Sequence, residues 1–362
     1  MGEGLHSGGR PGPAFSVVIP TYQRAGAVAA AIRSCLASTF PDFEVVVVDD
    51  GSTDGTEAVV RAFADPRVRF VRQANSGPSV ARNTGGLHAR GRHVAFLDSD
   101  DEFAPDKLAA FAEAIAAEGA SDDRTVWYSQ LHFDRGPGNR LVKPRRGIEP
   151  EETVGDYLFA GEGMMQTSTL VVPRTLFEKV RFDPTVRNLE DYDLCLRLER
   201  AGARFRMLRR PLVVWYDHAT DARVSHGSSA AYIEAWADRR RGLLSGRAYH
   251  GCIARYYVPA SIRSRPIDAI GRLIVALRHG GVGPGRATTL LLRGVMPSTY
   301  ARFRDGAVRL MRTTRRRPGR LGPGPGTILG RGPCGMTADR HRHVRAERPS
   351  SPGPRRRRRP RP

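Results

Sequence analysis

Cysteine is scarce in this 362-residue chain, with four residues at 35, 195, 252 and 334, none in CxxC spacing. That argues against a zinc knuckle and a disulfide scaffold, and reduced thiols of a cytosolic protein are the simplest reading. The Gly-rich N-terminus lacks an apolar signal core, and no run approaches the ~20 apolar residues of a spanning helix. The expected location is cytoplasmic, with any membrane contact peripheral, at the inner face of the plasma membrane. Acids are few at the C-terminal end. Residues 315–362 hold fifteen Arg against Asp339 and Glu347, so +13 of the formal net charge of +21 sits in the last 48 residues. Almost no large apolar side chain accompanies them, so this Arg/Pro/Gly-rich tail is expected to be disordered from 313 on, as are residues 1–13. The remaining body is mildly basic, and nucleic acid is not an expected partner. For the tail itself two readings stand: a contact with anionic membrane, or a solvated stretch of no specific role.

What is present is a hydrophobic fraction of 40%, ample for a sizeable core. Residues 15–20 (FSVVIP) read as a buried strand, and Val28, Ala31, Ile32, Cys35 and Leu36 then fall on one helical face. Residues 44–49 (EVVVVD) are continuous in β-branched residues, as a strand covered on both faces would be. Asp54 with Glu57 reads as a capping box opening a helix to about 64. A strand at 68–72, a helix at 78–89 and a strand at 93–98 complete a β-α rhythm that predicts a doubly wound, mostly parallel sheet flanked by helices. Beyond it the spacing predicts a helix around Leu108, Phe111 and Ile115, strands at 125–133 and 169–172, a helix at 190–200 and a last strand at 212–216. From 230 to 312 the chain reads as short basic helices broken at Pro259, Pro266, Pro284 and Pro297. The domain reading is a domain over 14–228, a helical appendage over 229–312 and the tail.

In an open parallel sheet, ligands sit outside the carboxyl ends of the strands. Polar residues gather there: Pro20, Thr21, Tyr22 and Arg24 after the first strand, Asp50 after the second, and Asp98, Ser99, Asp100 and Asp101 after the fourth. Asp50 can accept from a base N–H, Tyr22 can stack on the base, and Arg24 can meet phosphate, although an Asp-Gly-Ser-Thr turn also forms for turn chemistry alone. Three carboxylates in four residues repel one another, a cost that a divalent cation would offset; Mg²⁺ or Mn²⁺ fills its shell with phosphate oxygens and water, which suits a nucleotide diphosphate. A solvated turn starting the next helix is the plainer alternative. The helix opened by Pro78 and Ser79 offers free N–H groups and Arg82 to phosphate, or a mere cap and a surface charge. Glu190, Asp191 and Asp193 open another helix, where the dipole alone would stabilise acids. Asp191 shares the face of Leu194 and Leu198 and so points inward, where a carboxylate could take a proton from an acceptor hydroxyl. His218 could complete the metal or touch phosphate.

Together these segments resemble the family 2 glycosyltransferases, inverting enzymes of the GT-A fold, over roughly residues 14–226: SVVIPTYQRA, EVVVVDDGSTDGT, NSGPSVARNTG, HVAFLDSDD, TSTLVVPRTLFEKVRFDP and LEDYDLCLRL. The resemblance implies an α/β GT-A fold and a nucleotide diphosphate sugar, usually a uridine one, as donor. It implies that Asp50 with the Thr21 and Tyr22 neighbourhood binds the nucleobase. It further implies that Asp98 lies against ribose or metal, that Asp100 binds Mn²⁺ or Mg²⁺, and that Asp191 is the general base; should the base lie elsewhere, Glu190 and Asp193 are the next candidates. The acceptor would be a glycan, a lipid-linked molecule or a small molecule, in cell-envelope polysaccharide biosynthesis. No QxxRW follows Asp191, so processive synthases match poorly and one sugar per turnover is expected. The usual GGFD approach appears as KVRFD at 179–183. A nucleotidyltransferase would also use such a sheet, but would carry a Gly-rich, Lys/Arg-bearing loop where PTYQRAG stands; a protein binding nucleic acid or anionic membrane through its tail is the other alternative.

Overall fold

Valine-rich runs with large side chains toward both faces fold only between two covering layers, and that is how the chain begins. The computed structural model describes residues 12–119, 123–136, 139–217 and 229–300. In chain order it contains β1 (Phe15–Thr21), α1 (Ala25–Leu36), β2 (Phe43–Asp49), α2 (Thr56–Arg61), β3 (Val68–Arg72), α3 (Pro78–His88), β4 (His93–Phe96), β5 (Asp101–Phe103) and α4 (Lys107–Ala117). There follow β6 (Thr125–Asp134), β7 (Arg140–Lys143), β8 (Val171–Pro173), α5 (Arg174–Lys179), α6 (Glu190–Arg200) and β9 (Arg204–Tyr216). The helical part comprises α7 (Ala230–Arg239), α8 (Gly246–Cys252), α9 (Val258–Ser261), α10 (Pro266–Arg278) and α11 (Pro284–Val295).

The strands form one sheet in the order β3-β2-β1-β4-β8-β6-β9-β5, with β7 on β6. β3, β2, β1 and β4 are parallel, in a register that sets Phe15 beside Phe43 and His93 and brings Thr21 level with Asp49. The second half is mixed: β8 is antiparallel to β4 and β6, β5 to β9, while β6 and β9 run parallel. Successive residues of a strand face opposite ways. Val17, Ile19, Val45 and Val47 thus pack with Ile32 and Phe111 on the α1 and α4 side. Val18, Phe96 and Val172 pack with Phe177, Leu194 and Trp236 on the other.

The expected α/β class and strand-helix rhythm hold, with local corrections. The Asp54–Glu57 capping box does not form. Asp54 accepts from Thr56 N and Oγ1 and from Ala25 N, Glu57 pairs with Arg61 and Arg72, and α2 ends at Arg61. The strand expected at 212–216 is 13 residues long and starts at Arg204. Asp101 begins neither loop nor helix but a short strand against β9. Pro266 and Pro284 open helices, as their fixed φ and missing N–H favour. Pro259, by contrast, lies inside a helical run from Gly246 to Ser261: the turn before it, Ile253–Tyr257, widens to a π-helix, which relieves the clash proline makes with an α-helical turn. The described part of the expected appendage is helical, yet Ile233, Trp236, Cys252 and Tyr257 belong to the same core cluster as Val18 and Phe96. The expected tail from 313, the N-terminal stretch up to residue 11 and His218 lie outside the described residues.

Candidate functional site

The order of strands reverses between β1 and β4, and a cleft of about 1100 Å³ opens at the carboxyl ends of β1, β2 and β4. Pro20, Thr21, Tyr22, Arg24, Asp50, Arg82, Asp98, Ser99, Asp100 and Asp191 all line it. Ser79 does not; it is buried in the first turn of α3. Ten of the predicted positions therefore converge from five separate stretches of chain.

One wall is built by mutual stitching of the loops after β1 and β2. Gln23 N donates to Ser52 Oγ (2.9 Å), Gln23 Nε2 to Thr53 Oγ1 (2.8 Å) and Arg24 N to Thr56 Oγ1 (3.2 Å). The small hydroxyls of the DGSTDGT segment thus fix the turn that presents Tyr22 and Arg24. Gln23 holds a left-handed φ of 52° in that turn, a conformation a non-glycine residue keeps only when its surroundings impose it. Tyr22 leaves 46% of its surface open, enough for a ring to stack on it. Asp50 faces the loop before α3: its carboxylate accepts from Gln73 Nε2 (2.7 Å), Ser76 N (2.9 Å) and Gly77 N (2.8 Å). A carboxylate offers about four acceptor positions, so one remains. Thr21 Oγ1 is buried with no hydrogen-bond partner among the described residues.

The floor is an alternation of acids and their counter-groups. Arg82, 5% exposed, donates to Asp98 Oδ1 (2.7 Å) and Glu190 Oε1 (3.3 Å) and lies over the Phe182 ring. Burial works against its charge, but the acids around it win and push its pKa up. Asp100 pairs with Arg24 at 3.5 Å. Behind them lies a polar cluster that sequence reasoning missed. Gln166 Nε2 donates to both Asp98 Oδ2 (3.1 Å) and Asp101 Oδ2 (2.9 Å), and Ser168 Oγ donates to Asp101 Oδ2 (2.6 Å). Lys107 Nζ, enclosed by Phe103 and Phe111, donates to Ser168 O (2.9 Å), and burial brings its pKa down to about 7. Burial, with Asp98 and Asp100 beside it, holds the Asp101 carboxyl well above the usual range. Asp101, which does not line the cleft, is thus a support for the acids beside it rather than a further cleft acid.

The three acids opening α6 separate into different tasks. Leu189, at φ 65°, turns the chain sharply into the helix. Glu190 goes to Arg82. Asp193 is fully buried and takes Trp236 Nε1 (3.2 Å), Arg240 Nε and Arg197 Nε (2.7 Å). Asp191 remains on the cleft wall, accepting from the N–H of Tyr192 (2.8 Å). Burial, with Glu190 next, pushes its pKa up to about 8, against the opposing pull of Arg82. The far wall comes from the C-terminal helices through Ile233, Arg255, Tyr256 and Arg293, none of which carried a motif. Among the described residues no group of three potential metal-ligating side chains converges.

The family profile described as Glycosyl transferase family 2 matches residues 16–180. The amylovoran biosynthesis glycosyltransferase AmsB of Erwinia amylovora is 31% identical over 239 residues, 64% of this chain and 79% of that protein. The succinoglycan biosynthesis protein ExoO of Rhizobium meliloti is 33% identical over 238 residues, 62% of this chain and 66% of that one. Among solved structures, S. aureus TarS 1–349 in complex with UDP-GlcNAc aligns with a TM-score of 0.54 at 21% identity, over 83% of this chain and 91% of that one. That likeness is one of fold.

Proposed function

The chain belongs to the family 2 glycosyltransferases and is a glycosyltransferase; from that premise we propose that it moves a single sugar from a nucleotide diphosphate donor to an acceptor hydroxyl in cell-envelope polysaccharide biosynthesis. A uridine diphosphate sugar is the first choice of donor, a glycan, lipid-linked or small-molecule hydroxyl the acceptor, and the cytoplasm the location. Relatives named for amylovoran and succinoglycan biosynthesis support the polysaccharide reading. The observation that carries the proposal is the position of Asp191. It is a carboxylate of raised pKa facing the same cleft as Tyr22, Asp50, Asp98 and Asp100, between the strand ends and the C-terminal helices.

On this reading Tyr22 stacks on the base, the buried Thr21 hydroxyl and the free acceptor position of Asp50 meet its polar edge, and Arg24 meets phosphate. Arg82 holds Asp98 and Glu190 in fixed relation, coupling the donor floor to the first turn of α6. Asp191 takes the proton of the acceptor hydroxyl as it attacks the anomeric carbon in line with the departing diphosphate, which inverts that carbon. The residues present fit a divalent cation. On this reading Asp100, which lines the cleft and pairs with Arg24 at 3.5 Å, is the protein ligand, with Asp98 held beside it by Arg82 and Gln166, and Mg²⁺ or Mn²⁺ completes its shell largely with phosphate and water. Bound there, the cation would neutralise charge building on the leaving diphosphate.

Asp191→Asn and Asp100→Ala separate the two halves of the site. General-base help is worth ~10² to 10⁴ in rate, so Asp191→Asn should lose that much turnover while keeping UDP affinity. Asp100→Ala should instead lose the Mn²⁺-dependent part of UDP binding, read by calorimetry. Wild-type turnover in the first variant would move the base elsewhere, and an unchanged Mn²⁺ effect in the second would remove Asp100 from the metal.

A further inference from the structure

A helix face bearing aliphatic side chains at every turn is normally covered by something. α10 and α11 close a small core through Ala269, Leu273, Ala276, Ala287 and Leu290. On the outward side of α10, Ile267, Ile270, Ile274 and Leu277 follow one another at helical spacing, with 88%, 46%, 45% and 36% of their surfaces exposed. Leu292, Val295 and Met296 add exposed apolar surface at the end of α11. The charges on α10 and α11 are mostly of one sign, and Glu234 of the neighbouring α7 is taken up by Arg272. Residues 262–300 contain six Arg and one acid, Asp268, and that acid is taken up by Tyr257 and Arg272 away from the stripe. Arg263, Arg265 and Arg278 stand exposed at the two ends of α10.

We propose that the outward face of α10 and the end of α11 dock on an anionic lipid surface, the helices lying in the interface plane with the isoleucine stripe at the acyl boundary and the arginines against headgroup phosphates. Amphipathic helices with this division of aliphatic and Arg side chains bind by the sum of apolar burial and attraction to anionic lipid. A second copy of the chain fits less well, because pairing two such faces would set the exposed Arg263, Arg265 and Arg278 against their own counterparts. Among the described residues no helix is long and apolar enough to cross a membrane, so the contact is one of lying on the surface. Arg293 of α11 and Pro297 just after it line the cleft, so docking would hold the cleft mouth beside the lipid. That selects a lipid-borne acceptor, a corollary resting on the cleft being the transfer site; the docking itself does not.

The test uses the full-length protein without donor, mixed with phosphatidylcholine vesicles containing either no anionic lipid or roughly one third phosphatidylglycerol, the bound fraction being read by co-sedimentation. The protein should partition to the anionic vesicles, and Ile270→Glu with Ile274→Glu should weaken this by about tenfold or more, with a single cooperative melt retained, because each side chain keeps nearly half of its surface in water. Binding equal to wild type in the double variant would assign the contact to the Arg-rich tail and overturn the proposal. So would a concentration-dependent dimer, abolished by the same pair, in a protein that ignores vesicles. Ile267→Trp gives an independent reading: its indole emission should shift to shorter wavelength on anionic vesicles, and an unshifted spectrum refutes the docking whatever the double variant does.

Discussion

Burial and the Glu190 carboxylate push the Asp191 pKa up to about 8, and this has one consequence for activity and another for stability. A base must be deprotonated to act, so kcat/KM for transfer should rise about tenfold per pH unit below about 8 and level off above it. A profile that stays flat between pH 6 and 9 would rule out Asp191 as the titrating base. For stability the sign follows from proton binding. Between the unfolded value near 4 and the folded value near 8, the native state holds a proton that the unfolded chain has lost. The contribution is fully present at low pH and disappears as pH rises through 8. Asp191→Asn removes the titration, so its gain in melting temperature over wild type should be larger at pH 9 than at pH 5. An equal gain at both would mean that the group titrates elsewhere. Asp191 was legible in the sequence because helical spacing from Leu194 and Leu198 fixes its side. Gln166 was not: its partners Asp98 and Asp101 lie far off in the chain, and a lone amide in an irregular segment carries no period.

At the scale of elements, α3 is seated unusually close to the sheet. A Cβ on Gly85 would stand 2.3 Å from Val18 Cγ1, and one on Gly86 would stand 2.0 Å from the Phe177 ring. Neither neighbour can move freely, since Val18 is in a fully buried strand and Phe177 is a buried core residue of α5. Gly86→Ala should therefore cost about 1–3 kcal/mol by overpacking. It should also weaken UDP binding, because Arg82 lies one turn earlier on the same helix. Urea unfolding and UDP titration read the two effects, and a variant equal to wild type in both would show that α3 has room to spare. The helix itself was readable from its Pro start and its spacing, but the closeness of its seat was not, since that depends on residues from other elements. The same limit explains the strands. β1, β2 and β4 declare themselves by continuous apolar runs, whereas Arg204, Arg206, Arg209 and Arg210 hide the first half of β9, which is a strand because β6 pairs with it from Thr125 onward. β5 is three residues beginning with an acid, and only its pairing with β9 defines it.

At the scale of the whole molecule, the sequence suggested a boundary near 228, and the packing draws the helices beyond it into the main core. Trp236, Leu244, Ile253 and Tyr257 share one cluster with Val18, Phe96 and Leu194, and Trp236 bonds the buried Asp193 of α6. Emptying such positions costs about 2–5 kcal/mol each. Four of them at ~3 kcal/mol reach ~12 kcal/mol, comparable to the 5–15 kcal/mol that holds a typical domain folded. A chain ending at residue 228 should therefore fail to fold, even though it keeps every motif of the proposed donor site and the proposed base. A chain ending at 312 loses only the stretch that composition reads as unable to support a core, and should melt in a single transition within a few degrees of the full length. Calorimetry of the two truncations decides the matter: a soluble 1–228 chain melting cooperatively near the full-length temperature would mean that the C-terminal helices are an appendage after all, and that the cleft can be built without them.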